Sequence, residues 1–374
     1  MEKAPEIEEL RKLPIFFVVG MGRSGTTLLR TILDAHPHTV VSVESKFVIH
    51  LKNKYKCINQ WTPALVENFI IDLYGDVKFK RYWEMEYEKL RAFILQYDCK
   101  LLDFSLLCKM VYFNHASVFN KGKPMIIGDK NPVYSLFIND LKEVFPDAKF
   151  IHLVRDYRDT IVSNRKYFQR KNVGALAQVW AIYNKNIEDE KRHDRSKFYT
   201  IRYEDLVHDP EIKVKEICHF LGIEFHPVML EFYLKTRENY GDGKHPVVGL
   251  LFPELLNKVN TNQIGKWKNE LTQKELGLIH FIDNKPGQQY EYVSTPASFS
   301  AFYYLRSVIG YWMAMVDIAV VKGYYILPFF ARQMIRQSAR FAFDYLGILT
   351  VYNGDDYLKE ILKKKKQKEE VQKE

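Results

Sequence analysis

Cysteine is scarce in this chain, and the few cysteines show no pattern. Its 374 residues include four, Cys57, Cys99, Cys108 and Cys218, and none of them forms a C-x-x-C pair. No group of His and Cys residues has the spacing of a metal site. Scattered thiols in a chain of this length indicate a reducing compartment rather than a disulfide framework. We therefore expect neither disulfides nor a bound metal.

The first residues also lack the apolar stretch of a secretory signal. MEKAPEIEELRKLP is charged throughout, so we expect no signal peptide and a cytoplasmic protein. The chain is 47% hydrophobic and 27% charged, which is enough apolar material for a large buried core. A formal net charge of +9 suits an anionic ligand, a membrane surface or nucleic acid. Because no basic patch interleaves with aromatic residues, we expect no nucleic-acid partner.

A lysine is missing where a nucleotide-binding loop would need one. The stretch GMGRSGTTLL begins at Gly20, and Gly20 and Gly25 have the spacing of the pattern G-x-x-x-x-G-K-[ST], but Thr26 replaces the lysine. The apolar run before the loop predicts a strand, and the run after it predicts a helix. A glycine loop in that position binds anions through backbone N–H groups at the helix N-terminus. We expect an anion other than the triphosphate of ATP or GTP.

Strand patterns alternate with helical patterns along the chain. Residues from about 46 to 120 are helical in pattern. The segments predicted as strands are 15–20, 40–43, 125–127, 149–154 and 198–202, and a helix is predicted over 136–145. Such alternation predicts βαβ units and a parallel sheet, which binds its ligands at the carboxyl ends of the strands. The segments that follow predicted strand ends are 20–27, 128–131, 155–163 and 203–205.

A second candidate anion site lies in FIHLVRDYRDTIVSNRK, residues 150–166. Arg155 follows a predicted strand, and Ser163 comes eight residues later, about two helical turns away. An arginine and a serine so placed can hold one phosphate from two sides, and Arg165 adds a further charge. A solvated basic helix face would explain the same arginines, so the residues alone leave both interpretations open.

Taken together, these segments resemble sulfotransferases that use 3′-phosphoadenosine 5′-phosphosulfate (PAPS). GMGRSGTTLL resembles their 5′-phosphosulfate loop, and RSGTTLLRTILDAHP is most similar to the tyrosylprotein sulfotransferases and their bacterial relatives. The resemblance covers about residues 14 to 275. It implies an α/β, P-loop-like sulfotransferase fold with a central parallel sheet flanked by helices, PAPS as co-substrate, adenosine 3′,5′-bisphosphate as product, and no metal. The nucleotide-binding residues that it implies are Gly22, Arg23, Ser24, Gly25, Thr26, Thr27, Arg155, Ser163, Arg165, Tyr203, Lys266 and Trp267.

The same resemblance implies three catalytic residues. Glu44, 21 residues after Arg23, would be the base, Lys130 in GDKNP would be the acid, and Arg23 would hold the sulfonate oxygens. From the residues alone, the predicted strand VVSV would bring Glu44 near the loop, but a surface glutamate and a loop lysine remain the alternatives. The other candidate bases are His36, His115 and His152. Of these, His36 and His152 are more typical of structural positions.

The chain is predicted to have three parts. These are an N-terminal segment, 1–13, a catalytic domain, 14–298, and a helical, aromatic-rich and basic extension, 299–374. Residues 308–330 are long enough to span a bilayer, but charged residues and Pro328 interrupt them. Two helices lying in the membrane interface are the preferred interpretation, with a polar face made by Arg332, Arg336 and Arg340 and a lysine run at 363–366. Packing on the catalytic domain or dimerisation explains the extension equally well.

The acceptor is the part of the reaction that the residues identify least. Contact of residues 300–350 with the inner face of a membrane would favour a lipid or sterol-like alcohol. A saccharide or a peptide tyrosine is the alternative within the same reaction. In other classes, the alternatives are a P-loop kinase, against which Thr26 argues, and a basic nucleic-acid-binding protein. The oligomeric state stays open.

Overall fold

A parallel five-stranded sheet lies at the centre of the molecule. The computed structural model describes residues 4–168, 172–241, 248, 252–292 and 300–338. The strands are β1 Ile15–Val19, β2 Thr39–Ser42, β3 Ile126–Lys130, β4 Lys149–Val154 and β5 Phe198–Arg202. Their order in the sheet is β2-β3-β1-β4-β5, and every pair of neighbours is parallel. The predicted α/β class with a parallel sheet is confirmed.

Helices cover both faces of this sheet and continue beyond it. The α-helices are α1 Ile7–Lys12, α2 Thr26–Asp34, α3 Phe47–Tyr55, α4 Pro63–Tyr74, α5 Val77–Tyr82, α6 Tyr87–Leu95, α7 Phe104–Phe113, α8 Ile138–Val144, α9 Tyr157–Phe168, α10 Val173–His193, α11 Tyr203–His208, α12 Pro210–Leu221, α13 Phe232–Tyr240, α14 Trp267–Glu270, α15 Gln273–Gln288, α16 Ala301–Ile326 and α17 Phe329–Ser338. All five residues of β1 are buried. Covering on both faces explains why that strand reads as a continuous apolar run, IFFVV, without alternation.

Most predicted elements fall where the structure has them, with two differences. The predicted strand at 125–127 extends further, to Lys130, because Gly128 and Asp129 pair in register with β1 on one side and β2 on the other. Their polarity hides this pairing in the sequence. The predicted helix over 136–145 is shorter, Ile138–Val144, and a 3-10 turn, Pro132–Leu136, precedes it.

The extension packs on the rest of the chain. A β-carbon at Gly310 of α16 would lie 2.6 Å from the carbonyl carbon of Gly174 in α10, so the two helix backbones touch. Among the described residues, α16 is the one helix long and apolar enough to cross a bilayer. The predicted boundary at residue 298 falls within 293–299, outside the described residues, and stays a prediction.

The prediction of an exposed arginine face on the following helix is wrong for Arg332. Its side chain is fully buried, and Nη2 donates to the carbonyl oxygen of His50 in α3 at 2.7 Å. The guanidinium also lies 5.6 Å from the centre of the Phe329 ring. Burial of a cation is tolerated here because a carbonyl and aromatic faces replace water. The Arg336 side chain, Arg340 and residues 363–366 lie outside what the structure describes.

Candidate active site

The carboxyl ends of all five strands meet at one edge of the sheet. Lys130 is the last residue of β3, and Glu44 follows the end of β2 by two residues. Strand β1 runs directly into the glycine loop, residues 20–25. Arg155 follows β4, and Tyr203 follows β5 as the first residue of α11. The sheet topology therefore brings side chains from five separate parts of the sequence to one edge.

The glycine loop ends at a helix N-terminus that no side chain caps. Gly25 is the N-cap residue of α2 and has a φ of 93°, which favours glycine. A β-carbon there would lie 2.4 Å from Cδ2 of Tyr203. The first N–H groups of a helix have no partner within the helix, and the buried Ser24 Oγ has no hydrogen-bond partner either. An uncapped helix start with an unpaired hydroxyl beside it fits a phosphate or sulfate group.

Glu44 and Lys130 form an ion pair on one side of the loop. The Lys130 Nζ donates to Glu44 Oε1 at 2.5 Å and to Thr27 Oγ1 at 3.2 Å. The lysine side chain is buried, whereas 42% of the Glu44 side chain is exposed. A carboxylate that is held by a buried ammonium but still reaches solvent can accept a proton from a molecule arriving from outside.

Four residues form a second group, the arginine cluster, on the other side of the loop: Arg23, Arg155, Ser163 and Tyr203. Arg23 Nε donates to Ser163 Oγ at 3.2 Å, and Arg155 Nη1 donates to the Arg23 carbonyl oxygen at 3.1 Å. The Arg155 guanidinium lies 4.6 Å from the centre of the Tyr203 ring. Its Nε is buried without a partner. Two arginines linked through the Arg23 backbone, one of them with a buried unpaired N–H, fit a doubly charged anion.

A segment from late in the chain, residues 263–267, closes against the arginine cluster. Arg155 Nη2 donates to the Gln263 carbonyl oxygen at 2.5 Å. The buried carboxylate of Asp159 accepts from Gly265 N at 2.7 Å and from Trp267 N at 3.0 Å. Burial raises the pKa of Asp159 above its usual value, yet these two N–H groups require its oxygens as acceptors. Asp159 therefore fastens the segment to α9.

Three predicted ligands lie at the margin of this arrangement. Arg165 Nη1 donates to Glu275 Oε1 at 2.8 Å, so its guanidinium is engaged with α15. The Lys266 side chain is exposed. The Arg158 guanidinium lies 4.2 Å from the centre of the Trp267 ring and the Lys268 Nζ 5.9 Å from it, so this ring is already in contact with two cations.

Sequence reasoning missed several residues that hold the loop and the cluster. Asn164 Nδ2 donates to the Gly22 carbonyl oxygen at 3.0 Å, and the Phe252 ring lies 5.3 Å from the Arg23 guanidinium. Asp159 comes four residues after Arg155, and Asn164 is next to Ser163. Their positions close to two predicted ligands could therefore have indicated both residues. Gln263 acts through its backbone, which carries no signal in the sequence.

The three histidines weighed as alternative bases sit in the core. His36 Nε2 is bonded to the Glu224 carbonyl oxygen at 3.0 Å, and His152 Nε2 to Asn184 Oδ1 at 2.8 Å. Burial lowers the pKa of His115 to about 3. In the described part of the chain, no group of three His, Cys, Asp or Glu side chains is arranged to hold a metal ion.

Comparison with known proteins identifies relatives of this chain. The family model described as "Sulfotransferase family" matches residues 14–227. The omega-hydroxy-beta-dihydromenaquinone-9 sulfotransferase Stf3 of Mycobacterium tuberculosis is 27% identical to this chain, in an alignment that covers 61% of this chain and 68% of that protein. The protein-tyrosine sulfotransferase of Drosophila melanogaster is 24% identical over 70% of this chain and 48% of its own length. Among solved structures, the sulfotransferase domain of a Synechococcus olefin synthase covers 83% of this chain and 98% of its own, at 20% identity and a TM-score of 0.47.

Proposed function

The chain belongs to the sulfotransferase family, and from that premise we propose that it transfers a sulfuryl group from PAPS to the hydroxyl of an acceptor. One observation carries the proposal. The glycine loop and the first turn of α2 together touch both functional groups of the site, because Arg23 of the loop contacts Ser163 and Thr27 of the helix contacts Lys130. A molecule with a phosphosulfate at one end and a second phosphate at the other would be held by the loop between a proton-transfer pair and an arginine cluster.

The nucleotide would be bound by the N-terminus of α2 and by the arginine cluster. The N–H groups at the start of α2, with Gly22, Ser24, Gly25, Thr26 and Thr27, would hold its 5′ end. At the 3′-phosphate, Arg155 and Ser163 would act with Tyr203 beside them, and Lys266 and Trp267 would lie against the adenine side. We leave Arg165 out of this set, since its guanidinium already bonds Glu275. The buried, unpaired Ser24 Oγ and Arg155 Nε support this fit.

In the proposed reaction, the chain's own residues accept one proton and stabilise the charge that develops on the departing oxygen. Bound PAPS supplies the sulfuryl group and a phosphate leaving group. As the acceptor oxygen bonds to sulfur and the bond from sulfur to the phosphate oxygen breaks, Glu44 accepts the acceptor's proton. Lys130 bonds the departing oxygen, which it can reach by turning from Glu44. Arg23 bonds Ser163, and this contact supports a role at the phosphate end instead of the predicted one at the sulfonate.

For the acceptor we favour a lipid or sterol-like alcohol. Lys46, two residues after Glu44, has its Nζ 5.9 Å from the centre of the Tyr325 ring in α16, an apolar helix. Lys46 is half-buried and burial lowers its pKa, so this flank of the site is only partly solvated. The named relatives act on a hydroxylated menaquinone and on protein tyrosine. A saccharide or a peptide tyrosine is the second candidate acceptor.

Two substitutions separate binding from chemistry. We expect Glu44→Ala to keep the affinity for adenosine 3′,5′-bisphosphate within about twofold and to lose about 100-fold or more in turnover, because it removes only the base. We expect Arg155→Ala to weaken that affinity about tenfold or more, because it removes a charge-assisted bond. Calorimetry with the bisphosphate and a labelled-PAPS transfer assay against fractionated lipids, glycans and peptides measure the two effects.

The matched controls are Glu143→Ala and Arg192→Ala, whose side chains form ion pairs at the surface. Both controls should behave as the unmodified protein. The reverse pattern, with Glu44→Ala losing affinity and Arg155→Ala keeping it, would break the assignment of roles. Tighter binding of ATP than of the bisphosphate would favour the kinase alternative.

A further inference from the structure

The orientation of α16 on the molecule is fixed along its whole length. Near its start, Gln178 Nε2 donates to Ser307 Oγ at 3.0 Å. In the middle, Gly310 touches the backbone of α10, and Ala314 is completely buried. Near its end, the Tyr325 ring packs 5.3 Å from that of Phe137. Because one face is held at the start, middle and end, the opposite face must point to solvent.

That opposite face is entirely apolar. It consists of Phe302, Leu305, Ile309, Trp312, Val316 and Ile326, which we call the outer face. Leu305 is 60% exposed, Trp312 64% and Ile326 76%. The first five recur at intervals of three and four, so they form one stripe along the helix. Soluble monomers rarely expose a contiguous apolar stripe of this length, and such patches mark interaction sites.

The charges beside the outer face indicate what covers it. At about 100° per residue, Arg306 and Lys322 lie on opposite flanks of the stripe, where long cationic side chains can reach lipid headgroups. Asp317 lies on the same flank as Arg306, three turns further along the helix and half-buried, so the three charges of α16 sum to +1. The chain as a whole has a formal net charge of +9. Two such chains repel each other, whereas an anionic membrane attracts both the chain and the flanking cations.

We propose that the outer face of α16 docks in the plane of an anionic lipid membrane and holds the enzyme there. The helix does not cross the bilayer in this arrangement, because its other face stays on α10. Phe330, 67% exposed, extends the apolar surface beyond Pro328 into α17. Tyr304 and Tyr311, exposed on the same flank of the helix as Lys322, have the amphipathic rings that are enriched at the interface of a bilayer.

Docking would bring the membrane to the proposed acceptor side of the active site. The last turn of α16 holds Tyr325, whose ring lies beside Lys46, and Ile326, the most exposed residue of the outer face. Glu44 is two residues from Lys46. This step rests on the proposed function: an alcohol embedded in the membrane would reach the base without crossing water. Membrane docking itself requires no sulfuryl transfer, so the two can fail separately.

Vesicle co-sedimentation of the full chain tests the docking. The probes are phosphatidylcholine vesicles with and without phosphatidylglycerol, and the variant is Leu305→Ser with Ile309→Ser. The matched control is Leu234→Ser with Ile212→Ser, since these residues are the same two types and also about half exposed. We expect the unmodified chain to bind vesicles that contain phosphatidylglycerol. The outer-face variant should bind at least about tenfold more weakly, and the control should be unchanged within about twofold.

Three outcomes would overturn the proposal. The first is no vesicle binding by the full chain, as would follow if residues 339–374 cover the face. The second is equal loss in the outer-face and control variants. The third is a dimer in vesicle-free solution that the outer-face variant dissociates, which would make the stripe an interface between copies. In all cases, affinity for adenosine 3′,5′-bisphosphate is measured in parallel, because it reports the proposed function independently.

Discussion

Asp159→Asn tests whether closure of the 263–267 segment controls nucleotide binding. The buried carboxylate holds the segment by two bonds, from Gly265 N at 2.7 Å and Trp267 N at 3.0 Å. Asparagine has the same shape but only one oxygen, so it keeps one bond and turns an N–H group toward the other donor. Loss of a hydrogen bond to a charged group costs about 1.5–3 kcal/mol. Arg155 also bonds this segment through Gln263, so that cost should appear in nucleotide affinity.

The expected result is a dissociation constant for adenosine 3′,5′-bisphosphate that is about 10- to 100-fold higher, since about 1.4 kcal/mol corresponds to tenfold. Isothermal titration calorimetry measures it. Steady-state kinetics should show the change mainly in KM for PAPS, because Asp159 lies far in sequence from the Glu44–Lys130 pair and contacts neither residue. The control is Asp189→Asn, which removes a surface carboxylate paired with Lys185. Unchanged affinity in Asp159→Asn, with normal folding, would refute the reasoning.

Two further predictions concern Gly25 and Asp129. Gly25→Ala should weaken nucleotide binding about tenfold or more, because its β-carbon would overlap the Tyr203 ring at a positive φ. The matched control is Gly222→Ala, which also has a positive φ but whose β-carbon would meet nothing within 4 Å, and equal effects would contradict the loop geometry. Burial raises the pKa of Asp129 from 3.8 to about 8, so the folded state binds this proton more tightly and stability should fall as pH rises between those values. At about 1.4 kcal/mol per pKa unit this amounts to at most about 6 kcal/mol. Asp129→Asn should flatten the fall in denaturation experiments across that range, and parallel curves for the two proteins would count against it.

The fold follows from features that a sequence shows directly. Strands β4 and β5 coincide with their predictions because KFIHLV and FYTIR are short, apolar and bounded by other patterns. The end of β3 was missed because burial of Asp129 depends on its neighbours in the sheet, among them a bond from Tyr112 at 2.5 Å. In a sequence, a carboxylate within a strand looks like the end of that strand. Only the fold shows that a helix residue, here Tyr112, becomes its partner.

The site is only partly readable from the sequence, for a similar reason. Arg155 lies two residues before α9 and Ser163 within it, so the predicted strand end and the helix after it already place both residues in the segment that follows β4. The bonds of Asp159 to Gly265 and Trp267 cross more than 100 residues of chain, and no local pattern predicts them. Arg332 shows the opposite error, because helical spacing cannot reveal that a guanidinium is buried against His50.

The lysine that the glycine loop lacks is supplied by the neighbouring strand. β3 pairs with β1 in the register Val18↔Lys130, which sets the last residue of β3 level with the end of β1, where the loop begins. The Lys130 Nζ reaches Thr27 in the first turn of α2 at 3.2 Å. A cation therefore stands at the helix N-terminus although the loop itself carries Thr26 at the lysine position. Because that cation also holds Glu44, the same ammonium can neutralise charge at the loop and orient the proposed base. A lysine at position 26 would extend from α2 and not from the strand beside Glu44. It would therefore neutralise charge at the loop without orienting Glu44.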